Sequence, residues 1–264
     1  MPRLARITVY PLKSLPGVDV DHATLTAGGA LRHDREYALV DARGNFINGK
    51  RTPAIHRLDA SCALDGDAVR VTLPSGAGVE TFALDDGTHR AALEARLSHY
   101  FGEPVHIEHD TLGGFPDDPD ASGPTVISTA SLAAAATWYA GFTAADMRRR
   151  FRANLEIDDC PAFWEDRLFG DPGATVKFRV GEVQLLGTNP CKRCVVPTRD
   201  PSSGDELAGF QRTFVQQRRD TLPGWASRAR FDFYYRFATN TRAADGAADT
   251  EGKRIRVGDA VEIV

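Results

Sequence analysis

Short apolar and β-branched runs, separated by glycine, proline and aspartate, dominate the first 85 or so residues of the chain. Such runs predict strands, and their regular spacing is typical of a small barrel or sandwich. The predicted strands cover residues 3–12, 18–26, 36–41, 57–64, 68–73 and 79–84.

Helical spacing of apolar positions first occurs at Ala91, Leu93, Leu97 and Tyr100, which predicts a helix over residues 89–100. Further helices are predicted at 128–140, where Ser128 is a plausible N-cap for an alanine-rich body, at 143–150 and at 207–218. The remaining predicted strands lie at 153–157, 175–180, 182–186, 230–237, 254–257 and 260–264.

Residues 113–124 (GGFPDDPDASGP) are too rich in glycine, proline and aspartate for a helix or a strand, so we interpret them as a linker or boundary loop. The fold expected from these elements is mainly β with some α (α+β). A boundary within this loop divides the chain into residues 1–118 and 119–264.

Composition narrows the class of protein. The chain has 264 residues, with 32 Lys and Arg against 36 Asp and Glu, and its net charge of −4 argues against a general nucleic-acid binder. Four cysteines are too few for a disulfide framework in a chain of this length. No signal peptide and no apolar run near the ~20 residues of a membrane span are apparent, so a cytoplasmic location with reduced thiols is expected.

The most suggestive motif is residues 191–194 (CKRC), because adjacent positive charge stabilises a thiolate. Structural zinc needs four ligands, and Cys62 and Cys160 are isolated. A thioredoxin-type dithiol begins a helix, whereas the sequence around this pair is extended and broken by proline. Two ordinary thiols near a turn remain an alternative to one reactive or metal-binding cysteine.

A longer string, residues 191–204 (CKRCVVPTRDPSSG), resembles the signature of the MOSC (molybdenum cofactor sulfurase C-terminal) domain. Residues 151–154 (FRAN) resemble the FRPN segment of that family, with Ala153 replacing proline. Residues 10–14 (YPLKS) and 33–35 (HDR) resemble elements of the β-barrel domain that precedes MOSC in a two-domain subfamily. The resemblance implies two barrel-like domains, an N-terminal MOSC-associated barrel over 1–118 and a MOSC barrel over 119–264.

By architecture the chain is similar to the amidoxime-reducing component family, in which molybdenum cofactor lies between the two β-domains. The resemblance implies that Cys194 is the metal ligand and catalytic residue, which agrees with the preference of soft metals for thiolates. Cys191 would be a buried residue beside this ligand and would not bind the metal itself. The implied cofactor-binding residues are Lys13, Ser14, Arg35 and Arg152 around the phosphate, Asn154 in the same pocket, Ser128 at a serine-rich helix start, and Tyr235 (or Tyr234) with Asn240 near the metal.

The activity implied by the resemblance is reduction of N-hydroxylated compounds, such as amidoximes, hydroxylamines and N-hydroxylated bases. No cysteine follows Cys194 to hold an iron–sulfur cluster, so electrons are expected from a separate ferredoxin or cytochrome b5-like protein. Because the first predicted strand starts at Arg3, no membrane anchor is expected. The alternative is a non-catalytic protein that binds the cofactor or carries persulfide sulfur on Cys194.

Three further features of the sequence can be interpreted functionally or structurally. Members of the family are often fused to pyridoxal-phosphate enzymes, and Lys13 could in principle form a Schiff base, although a phosphate-site lysine is a poor candidate. Residues 148–150 (RRR) are either a docking patch for an acidic redox protein or, more simply, a solvated helix face. The acidic-aromatic residues 164–167 (WEDR) are interpreted as structural.

Overall fold

A computed structural model of the chain describes residues 1–76, 78–244 and 251–264. The strands of this part are β1 (Arg3–Val9), β2 (Val18–Val20), β3 (His22–Thr24), β4 (Tyr37–Asp41), β5 (Ser61–Asp65), β6 (Ala68–Ser75), β7 (Gly78–Ala83), β8 (Val105–His109), β9 (Val126–Ser128), β10 (Leu155–Asp158), β11 (Val176–Val180), β12 (Val183–Lys192), β13 (Arg236–Ala243), β14 (Arg254–Arg256) and β15 (Val261–Ile263). The helices are α1 (Gly87–Phe101), α2 (Thr129–Ala136), α3 (Ala144–Phe151) and α4 (Phe210–Asp220).

The largest sheet has eight strands in the order β15-β11-β12-β13-β9-β10-β1-β2. Most neighbours are antiparallel, but β9 and β10 run parallel. Smaller sheets comprise β5-β6-β7, β4-β8 and β3-β14. Strands from both sides of the 113–124 loop therefore pair directly, since β1 joins β10 and β3 joins β14.

The core of the large sheet explains its strand pattern. Side chains such as Phe178, Leu185 and Val126 are buried on one face, as expected when alternate residues of a strand point inward. At Gly187 in β12, an added Cβ would lie 1.7 Å from the backbone oxygen of Leu168. Only glycine permits that close approach.

The helices follow local capping signals. The Asp86 side chain accepts hydrogen bonds from the first turn of α1, and Gly102 ends that helix in a left-handed conformation. Thr143 and Asp146 form a reciprocal capping box at α3. The predicted helices over 89–100 and 143–150 are confirmed within two residues, and the predicted N-cap Ser128 is confirmed at α2.

Helices α2, α3 and α4 cover an aromatic core formed with β13. Phe151, Phe210, Phe214 and Phe237 pack with ring centroids between 4.7 and 6.5 Å apart. This cluster fixes the C-terminal end of α3, and the chain leaves that end towards the cleft described below.

Several expectations need correction. The predicted strand over 230–237 is wrong for most of its length, because Arg228–Arg230 is a 3₁₀ turn and β13 begins at Arg236. Strand β8 and the short strand β9 were not predicted. Two separate closed barrels are not seen in the described residues, where the fold is instead built on mixed sheets joined across the loop. None of the helices in this part has the length and apolar character needed to cross a bilayer.

Candidate functional site

A cleft with a volume of about 1080 Å³ opens where the N-terminal and C-terminal parts of the chain meet. Its walls come from the segment after β1, the loop between β8 and β9, the C-terminal half of α3, and the turn after β12. Of the residues implied by the resemblance, the structure brings Lys13, Ser14, Arg35, Arg152 and Cys194 together in the lining, with Asn240 beside them.

The cysteine turn follows directly from the end of β12. Cys191 and Cys194 are both half-buried free thiols that line the cleft. Arg193, between them, donates one guanidinium hydrogen bond to Cys191 Sγ at 3.0 Å and another to the Phe151 carbonyl at 2.5 Å. Its backbone amide donates to the Tyr235 carbonyl at 3.0 Å. The turn is thereby fastened to the end of α3 and to the segment before β13.

The other wall carries a cationic cluster. Arg152 and Arg35 lie over the ring of Tyr10, with guanidinium-to-centroid distances of 4.1 and 5.2 Å. Arg152 also donates to the Leu15 carbonyl at 2.6 Å, and Arg35 is paired with Asp34. Burial raises the pKa of Tyr10 to about 12, so its ring remains a neutral platform for both cations.

Three residues in the lining of the cleft have strained backbones. Ser14, Arg35 and Arg152 adopt positive φ angles of 74°, 55° and 53°. Left-handed backbone is uncommon outside glycine and costs energy, and it concentrates at functional sites. For Arg152 it has a local purpose, because this residue ends α3 and turns the chain into the cleft.

Lys13 is held by the loop over residues 113–124. Its Nζ donates to the Phe115 carbonyl at 2.7 Å and to the Asp117 carboxylate at 3.0 Å. Burial lowers the pKa of Lys13, and the charge of Asp117 opposes that shift. On the opposite side of the loop, Asp118 accepts hydrogen bonds from the side chains of Asn240 at 3.0 Å and Asn189 at 3.4 Å. The predicted linker is therefore a strap across the cleft.

Three residues implied by the resemblance lie outside the cleft lining. Asn154 is a buried brace that donates to the Thr8 carbonyl at 3.1 Å and accepts from the Thr125 amide at 3.1 Å. Its side-chain oxygen lies 3.5 Å from Arg35, so Asn154 supports the cluster from behind. Tyr235 is buried in the aromatic core, and its hydroxyl has no hydrogen-bond partner among the described residues.

Ser128 is the third residue outside the lining, and its hydroxyl and backbone amide already form hydrogen bonds within the protein. Its hydroxyl caps α2 through the Ser131 amide at 3.0 Å, and its own amide donates to Glu165 at 3.2 Å. Burial, followed by the adjacent Asp166 charge, raises the pKa of Glu165 to about 7. Asp166 forms a buried pair with Arg218, which supports the structural reading of residues 164–167.

The arginine run 148–150 is neither a free basic patch nor a fully solvated face. Arg148 pairs with Glu156, and Arg149 lies 2.8 Å from Asp146. Arg150 is buried and donates to the Pro197 carbonyl at 3.1 Å. In the described part of the chain no group of three or more His, Cys, Asp or Glu side chains is arranged to hold a metal ion.

Five residues that line this cleft were not predicted as site residues: Tyr10 as the platform, Asp117 and Asp118 of the strap, and His56 with Arg199. Tyr10 was within the recognised YPLKS motif, so its signal was available. The acidic pair was hidden in a segment whose composition indicates only irregular backbone.

These features define a class of protein with a β-rich fold, in which a cysteine turn and a cationic cluster line one cleft. The chain belongs to the MOSC family: residues 1–99 match the MOSC N-terminal beta barrel domain and residues 121–262 match the MOSC domain. The predicted family is confirmed.

Named relatives are distant. Mitochondrial amidoxime-reducing component 1 of Homo sapiens is 26% identical over 248 residues, covering 76% of this chain and 67% of the human protein. Mitochondrial amidoxime reducing component 2 of Bos taurus is 23% identical over 242 residues, with 76% and 67% covered. Molybdenum cofactor sulfurase of Solanum lycopersicum is 46% identical over 50 residues, which are 19% of this chain and 6% of that protein.

Proposed function

We propose that this chain is a molybdenum-cofactor-dependent oxidoreductase that reduces N-hydroxylated compounds such as amidoximes and hydroxylamines. The observation that carries the proposal is that the thiol of Cys194 and the Lys13–Arg35–Arg152 cluster line the same cleft. A metal and a phosphate on one cofactor need both of these groups at once.

The residues present fit that cofactor. Small-molecule sites commonly have volumes of roughly 300–1,000 Å³, and this cleft, at about 1080 Å³, has room for a pterin and a substrate. Guanidinium forks, an ammonium and the Ser14 hydroxyl are suitable partners for a phosphate dianion. A half-buried thiolate is a suitable ligand for a soft metal.

Each residue then has a defined task. Cys194 would hold the metal, and Lys13, Ser14, Arg35 and Arg152 would hold the phosphate. The bound cofactor would supply two electrons for cleavage of the substrate N–O bond, in which one proton joins the departing hydroxyl to give water and a second proton forms the new N–H bond. The protein contributes orientation: Arg193 fixes the cysteine turn, and the Tyr10 ring carries two of the cationic side chains.

Two further parts of the proposal concern the surroundings of the reaction. We propose a separate ferredoxin or cytochrome b5-like protein as electron donor, because the residues that the structure describes contain no group of cysteines that could hold an iron–sulfur cluster. We also propose that the reaction takes place in the cytoplasm.

The test is reduction of benzamidoxime to benzamidine by molybdenum-loaded protein with reduced methyl viologen as donor. Wild type should turn over, and Cys194→Ser should lose activity about 100-fold or more, since a hydroxyl is a harder ligand than a thiolate. Cys160→Ser is the matched control, because Cys160 is a half-buried thiol that is not part of the cleft lining. No turnover by loaded wild type would remove the reductase proposal.

The second candidate is a sulfur carrier with a persulfide on Cys194. The short similarity to molybdenum cofactor sulfurase favours it, as does the half-buried thiol of Cys194, whose charge would interact with the neighbouring Arg193 guanidinium. Cyanide treatment releases persulfide sulfur as thiocyanate. Stoichiometric thiocyanate from molybdenum-free wild type, absent from Cys194→Ser, would support the carrier over the reductase.

A further inference from the structure

The charge balance of the cleft is uneven. Eleven basic and five acidic side chains contribute to its lining. Seven of the basic residues have a carboxylate within 4 Å: Arg6, Lys13, Arg35, Lys50, Arg148, Arg149 and Arg150. Among the described residues the others have none, and they are Arg152, Lys192, Arg193 and Arg199.

Three of these four are accounted for. Arg152 belongs to the proposed phosphate site, Arg193 bonds to Cys191 and the Phe151 carbonyl, and Lys192 is exposed at the end of β12. Arg199 is not explained by the proposed cofactor site. It lies just beyond the 3₁₀ turn Val196–Thr198, which connects it to the cysteine turn.

The guanidinium of Arg199 has spare donors. One nitrogen donates to the Gly204 carbonyl at 3.2 Å, and the buried Nε has no hydrogen-bond partner among the described residues. The neighbouring Asp200 forms no ion pair with Arg199, because its carboxylate lies 3.7 Å from Arg150 instead and accepts from the amides of Ser202 and Ser203 at 2.9 and 3.0 Å. A guanidinium with unused donors is suited to an oxyanion.

His56 and Arg199 share Gly204 as a neighbour. A Cβ on Gly204 would be 3.4 Å from His56 Cβ, and a Cβ on Gly49 would be 2.8 Å from His56 Nε2 and 3.3 Å from a Val196 methyl. The buried Nε2 atom also has no partner in the described part of the chain. Burial, with the charges of Arg152 and Arg199, lowers the pKa of His56, so the ring is uncharged at neutral pH.

We propose that Arg199 and His56 form an anion subsite in the cleft, which binds a carboxylate group of the substrate. The inference rests on the proposed function and narrows its substrate class from N-hydroxylated compounds in general to those that also carry an acidic group. Two guanidinium N–H donors can engage both oxygens of a carboxylate, with the His56 ring as a third polar contact. The cofactor phosphate has related oxyanion chemistry, and the experiment separates the two sources.

The test measures equilibrium binding, without any electron donor, to cofactor-loaded protein by calorimetry. The probes are benzamidoxime and 4-carboxybenzamidoxime. Wild type should bind the carboxylated probe about tenfold more tightly, the scale of a charge-assisted hydrogen bond. Arg199→Gln should abolish this preference, and Arg199→Lys should retain part of it, because it keeps the charge and loses the fork.

Arg149→Gln is the matched control, because Arg149 is an exposed cleft residue already paired with Asp146. Equal affinity of wild type for the two probes, or equal weakening of both by Arg199→Gln, would overturn the subsite. Inorganic phosphate is the third probe, used with cofactor-free protein. Weakening of phosphate binding by Arg199→Gln as large as that by Lys13→Gln would assign Arg199 to the phosphate site instead. Because binding is read without turnover, failure of the subsite is distinguishable from failure of the reductase activity.

Discussion

Removing the charge of Asp117 should strengthen anion binding at the cationic end of the cleft. The Asp117 carboxylate lies 3.0 Å from Lys13 Nζ and 3.5 Å from Lys50 Nζ, where it competes with any incoming phosphate. Partial desolvation by the cleft walls opposes its ionisation although the side chain reaches solvent, yet the charges of Lys13 and Arg35 hold the pKa of Asp117 well below its usual range. The carboxylate is therefore charged at every working pH, and Asp117→Asn removes a permanent competitor.

The structure also limits the size of this effect. The Lys13 side chain is only 10% exposed, but that of Asp117 is 61% exposed, so solvent screens the pair. Exposed ion pairs contribute about 0.2–1 kcal/mol. A competitor worth about 1 kcal/mol changes a dissociation constant about fivefold, so Asp117→Asn should tighten phosphate binding by up to about that factor.

Calorimetric titration of cofactor-free protein with inorganic phosphate measures this change. Asp120→Asn is the matched control, because it removes an equal charge from an exposed position of the same loop. Tighter binding in Asp117→Asn alone supports a competing carboxylate. Unchanged or weaker binding would refute it, and would mean that Asp117 positions Lys13 for the ligand.

Three further predictions concern stability and are read from urea unfolding. Arg218→Met should lower the free energy of unfolding by about 3–5 kcal/mol, because it leaves Asp166 buried without its partner; a loss below 1 kcal/mol would contradict this. Because burial raises the pKa of Glu165 from 4.5 to about 7, the folded chain is stabilised at low pH and loses that contribution as pH rises through this window. Glu165→Gln should flatten this dependence of the free energy of unfolding on pH. An unchanged dependence would mean that another titrating group causes it. Gly187→Ala should destabilise strongly because its Cβ would meet backbone at 1.7 Å, whereas Gly224→Ala, with open space around it, should not.

Local signals were sufficient for α1, α3 and the family, whereas the predicted helix over 128–140 extends past the end of α2 at Ala136 and the one over 207–218 begins before α4 does at Phe210. Asp86 and Gly102 bound α1 by capping chemistry that acts within a few residues, and such chemistry can be read from sequence. Arg35, Arg152 and Cys194 lie in motifs recognisable along the chain, and the structure brings them to one cleft.

Features that depend on contacts between residues far apart in the sequence could not be predicted. Strand β13 begins later than expected because its register depends on β12 and on β9, through Thr239 opposite Val126. Composition showed that residues 113–124 avoid regular structure but not that Asp117 reaches Lys13, 104 positions away in sequence. Ser128 was predicted to bind the cofactor, yet its amide donates a hydrogen bond to Glu165. That partner lies 37 residues away, and no local pattern in the sequence indicates it.

The most direct test of the central claim is the molybdenum content of protein purified from a host that makes the cofactor. Wild type should contain about one molybdenum per chain, and Cys194→Ser should lose it or show an altered metal spectrum, because the proposed thiolate ligand is gone. Cys160→Ser should match wild type. Molybdenum-free wild type, or equal content and identical spectra in wild type and Cys194→Ser, would contradict the assignment of Cys194 as the ligand.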